Sequence, residues 1–136
     1  MSAHVLLGHF PISLILVGAV ADLAGFVLAS APLRRFGGWL LILGGVGALA
    51  AFMTGSGASR ELLARAAGDP VLFERIEAHS MLASLGAWLL AGAAVLRFTW
   101  RDRMEGAESI ATLVAALLSA VLVLVVGFSG MAVRHG

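Results

Sequence analysis

Four histidines, His4, His9, His79 and His135, are the residues of this chain with the widest chemical reach. An imidazole ligates haem iron, copper or zinc, and no thiolate competes for that role because the chain contains no cysteine. The same absence excludes disulfides, iron–sulfur ligation by this chain and covalent haem attachment through C-x-x-C-H. Met131, one helical turn before His135, is a further candidate axial ligand or wall residue. Asp22 lies in the middle of an apolar run, where an ionised carboxylate costs ~3 kcal/mol or more unless it is paired or hydrated. No cation is expected at its depth, so Asp22 is expected to be protonated, bonded to Ser or Thr, or to reach toward Arg34 and Arg35.

Other chemistry is not written in the chain. There is no Walker or dinucleotide-binding glycine motif in the right context, no H-E-x-x-H and no G-x-S-x-G. Nine arginines oppose eight acids, so the pI of 9.1 reflects a net charge of only +1 and nucleic acid is not an expected partner. No nucleophile with a base is legible, which points to a carrier or a subunit rather than a stand-alone enzyme.

The elements that position these residues follow from composition. Apolar residues make up 60% of the 136 and charged residues 12%, with mean hydropathy +1.01, against about a quarter charged in a soluble domain. Four apolar stretches run over residues 5–31, 37–58, 79–98 and 109–133. Each approaches the ~20 residues that a helix needs to cross ~30 Å of hydrocarbon. The runs are continuously apolar rather than alternating, so helices and not barrel strands satisfy the backbone in lipid. The expected fold is all-α: an integral membrane four-helix up-down bundle, one domain over residues 1–136. A signal peptide is rejected for the first stretch, whose apolar region is too long and follows no basic segment, although Ala29, Ser30 and Ala31 resemble a cleavage site.

Residues 32–36 and 99–108 form short connections on one side, and the segment 59–78 joins the two termini on the other. Asp69 followed by Pro70 reads as an N-cap and first turn, so the third helix is expected to start there, with residues 59–67 as a short interfacial turn. Gly55 to Gly57 reads as a helix end, Trp39 and Trp100 as interfacial anchors and Trp88 as packing. Five arginines lie near the short connections and four on the other side, which favours outward termini in a bacterial inner membrane.

Counting crossings places all four histidines near one membrane face. The first and third helices of an up-down bundle are parallel diagonal neighbours, so His9 and His79 can face each other across the axis, as a bis-histidine haem requires. Ala83 and Gly86 keep the His79 face open for a porphyrin, and Phe128 shares the Met131 face. Pro11 either kinks the first helix or begins it.

The HFPI of His9 to Ile12, Asp22, the TG at Thr54 and Gly55, the histidine opening the third span at His79, and the terminal SGMAVRHG of Ser129 to Gly136 occur in that order. With these motifs the chain resembles domain of unknown function 2231, a family of four-span bacterial membrane proteins. Related domains joined to Rieske or cytochrome c modules imply membrane electron transfer. An acidic-aromatic pair expected after Thr54 is replaced here by Ser56 to Ser59.

The leading expectation is a b-type haem protein near the outer face with His9 and His79 as the axial pair, and His4 and His135 as a second pair or supporting shell. The alternatives are copper or zinc held by the same four histidines, or a non-catalytic subunit docked through its glycine-rich second helix onto a respiratory or photosynthetic complex. The lipid bilayer is a partner in each case; a Rieske or cytochrome c protein and a quinone belong to the first.

Overall fold

The computed structural model describes residues 3–134, which form four long helices: α1 (Ala3–Val27), α2 (Ala31–Arg65), α3 (Pro70–Thr99) and α4 (Gly106–Arg134). A single 3-10 turn, Ala66–Gly68, separates α2 from α3. Among the described residues there is no strand. Every helix contains a segment long and apolar enough to span a bilayer.

Local chemistry sets the helix ends. Asp69 accepts hydrogen bonds from the backbone N–H groups of Val71 and Leu72, and Pro70 occupies the first helical position where a missing N–H costs nothing. α1 closes with Ser30 N–H donating to Gly25 O at 2.8 Å and Ala29 N–H to Phe26 O at 3.3 Å. This is a Schellman closure, and its left-handed position is filled by Ala29 at φ 51° rather than by glycine. Gly106, at φ +76°, takes the corresponding left-handed turn into α4, where glycine fits without strain.

Each helix packs against its chain neighbours, and α4 closes onto α1. That leaves α1 opposite α3 and α2 opposite α4, the up-down arrangement expected. The α1–α2 seam is the closest. A Cβ on Gly37 would lie 2.6 Å from both Asp22 N and Gly18 O, so the two backbones touch only because that position has no side chain.

The distribution of polarity is that of a protein dissolved in lipid. Val20, Trp88, Val95 and Leu118 are each more than 60% exposed. The buried set contains Asp22, Arg34, Arg97, Ser109, Thr112 and Ser119 beside a small-residue core around Ile15, Ala19, Leu90 and Ala116. Large apolar side chains outside and charges inside reverse the soluble pattern. Trp88 thus faces outward rather than packing inside, while Trp39 makes an edge contact with Phe98.

Several boundaries differ from the sequence reading. Pro32 is not in a connection but in the first turn of α2, where proline is tolerated. α2 does not stop near Gly57: it runs through Gly55 to Gly57 to Arg65, about 50 Å in all, so residues 59–65 extend the helix instead of forming a separate interfacial turn. Its glycines are exposed or half-exposed there and terminate nothing. Pro11 lies inside α1 rather than beginning it.

Candidate functional site

A cavity of about 660 Å³ opens among all four helices toward the end that holds the termini. His9 comes from α1 and His79 from α3, and both line it, as do Ala83 and Gly86. Most of the remaining wall is apolar, with Phe52, Val123 and Met131 among its residues. Two of the four histidines that crossing counts put at one face therefore share one cavity, reached from diagonally opposed helices. His9 is exposed at its edge and His79 is half-buried. Phe128 is exposed and does not line the cavity, unlike Met131. His135 and the side chain of His4 lie outside the described residues.

The His79 ring is held in place. Its Nδ1 lies 2.8 Å from Ser129 Oγ, and that hydroxyl sits 2.8 Å from Val126 O, to which it donates. When the Ser129 hydroxyl donates to Val126 O it accepts from Nδ1–H, and in that tautomer the Nε2 lone pair is available to a ligand. α4 comes close at this level because of Gly130: a Cβ there would lie 3.1 Å from His79 Cε1. Arg60, on the part of α2 beyond its apolar segment, also lines the cavity and makes no hydrogen bond or ion pair with the described residues. Among the described residues, no group of three or more His, Cys, Asp or Glu side chains is placed to hold a metal ion.

A second polar assembly occupies the other end of the bundle, about 20 Å from His9 along α1. Asp22 Oδ1 accepts from Arg34 Nε at 3.0 Å and from Arg97 Nη2 at 2.9 Å, and all three side chains are almost wholly buried. Arg97 Nη2 also donates to Arg34 O at 2.7 Å. Arg34 places its other donors on Met104 O, on the hydroxyl and carbonyl of Ser109, and on Thr112 Oγ1. One carboxylate and two guanidinium groups thus tie all four helices together. Of the outcomes expected for Asp22, the reach toward the Arg34 side is the one found, and Arg97 adds a second cation that was not expected: long arginine side chains from the ends of α2 and α3 bring both. Arg35, the other candidate partner, is exposed.

Arg97 is the participant that sequence reasoning missed. Asp22, Arg34, Arg97 and Ser109 each lie within about a turn and a half of a short connection, so they share one depth. Crossing counts of the kind applied to the histidines, extended to charged residues, carry that signal.

No curated protein and no solved structure matches the chain. The family model described as "Predicted membrane protein (DUF2231)" matches residues 1–136, and the chain belongs to that family, domain of unknown function 2231.

Proposed function

We propose that this chain is a membrane-integral b-type haem protein that passes electrons to a redox partner. The observation that carries the reading is the convergence of His9 and His79, from diagonal helices, on one apolar cavity. Its volume of about 660 Å³ lies within the ~300–1,000 Å³ typical of cofactor pockets. The residues present suit a flat, apolar, carboxylate-bearing group. His79, hydrogen-bonded to Ser129, would be the firmer of the residues holding the iron, with His9 or Met131 as the other. Ala83 puts a small side chain on the cavity wall, Gly86 lets Val126 of α4 pack close beside it, and Arg60 offers the carboxylates of the group a cation at the mouth.

The bound haem would supply the one-electron couple. The protein would set its potential through the ligands, the hydrogen bond to His79 and the low polarity of the walls. In a bacterial inner membrane with outward termini, the cavity would open toward partners of the Rieske or cytochrome c type, and a quinone could approach from the lipid side. His4 and His135 would belong to the supporting shell.

Haemin titration into haem-free, detergent-purified protein tests the reading. The expected result is a Soret band saturating at one haem per chain, lost in His79→Ala and shifted or weakened in His9→Ala. A Soret response unchanged in both variants, or none in the wild type, overturns it. Tight copper or zinc binding without haem would transfer the site to a metal ion.

A further inference from the structure

The haem reading makes no use of the charged assembly around Asp22, which is chemically incomplete. Arg34 has an acceptor for every N–H it carries. Arg97 does not: both Nη2 hydrogens are taken by Asp22 and Arg34 O, but Nε and Nη1 have no partner in the buried interior. Three N–H groups are therefore unanswered, against one unanswered acceptor, Asp22 Oδ2. Two guanidinium groups against one carboxylate also leave a net charge of +1 inside an apolar bundle, an arrangement the membrane interior disfavours.

Beside Arg97 lies a small cavity of about 10 Å³. Its polar wall is the almost wholly buried Arg97 side chain, with Thr112 and Ser119; the rest, including Ile15, Leu41 and Leu90, is apolar. We propose that this cavity binds one small monovalent anion, chloride being the physiological case. The excess of donors over acceptors and the uncompensated positive charge both favour an anion over water, which would answer an N–H and leave the charge. The size admits about one small sphere and excludes phosphate, sulfate and carboxylate ligands.

The hydroxyls can complete the shell. Ser119 Oγ donates to Ala115 O at 2.7 Å and Thr112 Oγ1 to Ser109 O at 3.0 Å, local back-bonds within α4 that a hydroxyl rotation exchanges for the ion. Gly38 positions the guanidinium, since a Cβ there would stand 2.5 Å from Arg97 Nε. The ion would act as the fourth charge of the assembly and make the stability of the bundle depend on halide.

The test uses the full chain in detergent, exchanged into gluconate and titrated with chloride or bromide at constant ionic strength. The thermal midpoint of the wild type is expected to rise saturably with either halide, by about 8 °C at roughly a hundred times the dissociation constant. Sulfate should give no such rise. The ³⁵Cl resonance is expected to broaden in the presence of wild-type protein and to narrow with Ser119→Val, which fills the cavity. Equal midpoints in chloride and gluconate, together with a ³⁵Cl line that the wild type leaves unbroadened, overturn the proposal and leave the cavity to water. Both wild-type readouts decide the question even where Ser119→Val fails to fold.

Discussion

Replacing Asp22 by leucine removes the single negative charge that faces two buried arginines while keeping the branched heavy-atom skeleton of the side chain. Its Oδ1 atom accepts at 3.0 Å from Arg34 and at 2.9 Å from Arg97, with the carboxylate 0% exposed and both arginine side chains 4% exposed. Solvent screening is therefore negligible. A hydrogen bond to a charged group contributes about 1.5–3 kcal/mol, so losing two amounts to roughly 3–6 kcal/mol. Breaking a buried ion pair from one side costs a comparable ~3–5 kcal/mol. Asp22→Leu is thus expected to destabilise the bundle by about 4 kcal/mol. Asp22→Asn, which keeps a neutral acceptor, is expected to lose about half as much. The triple replacement Asp22→Leu, Arg34→Met, Arg97→Met should recover most of the loss, because an apolar set in place of a buried charge cluster is often neutral. Reversible unfolding in mixed micelles, followed by tryptophan fluorescence, measures all three. A loss under 1 kcal/mol in Asp22→Leu, or a triple variant weaker than the single one, would refute the claim that mutual charge compensation holds this assembly together.

Ala29→Gly, which relieves a left-handed alanine at φ 51°, should raise stability by about 1 kcal/mol in the same unfolding assay. Gly37→Ala puts a Cβ 2.6 Å from Asp22 N and should lower stability by about 1–3 kcal/mol through overpacking. Gly57→Ala, at an exposed helical position with nothing within 4 Å of the added carbon, should raise it by roughly 0.5–1 kcal/mol, a contrast that separates close approach from helix propensity. Ser129→Ala frees the His79 ring and should weaken haem retention about 10–100-fold in a haem-transfer assay, with the fold intact by circular dichroism.

The four helices and their up-down order were legible because lipid imposes a strong rule: a long apolar run must form its hydrogen bonds internally. The placement of His9 and His79 at one end followed from the same rule by counting crossings. Their convergence on a cavity needed a property that crossing counts lack, the rotation of α1 and α3 about their own axes. Helix ends were less legible. Gly55 and Gly57 carry stop signals on local grounds, yet α2 runs through them to Arg65 as one helix, and Pro32 proves to be a start signal, in the first turn where a missing N–H costs nothing. The reach of Asp22 toward Arg34 was legible in the sequence, whereas Arg97, 75 residues from Asp22, joins it only when crossing counts are applied to charged residues as well as to histidines. Asp22, Arg34 and Arg97 lie at about one depth, and the long arginine side chains close the lateral distance from α2 and α3 to the carboxylate on α1.

The central claim, a haem held between His9 and His79, is met most directly by a reduced-minus-oxidised visible spectrum of the protein as purified from haem-replete cells. A pyridine haemochrome assay on the same sample fixes the stoichiometry. The account predicts sharp α and Soret bands of a six-coordinate b-type haem at about one per chain. A colourless preparation that contains no haem would contradict it.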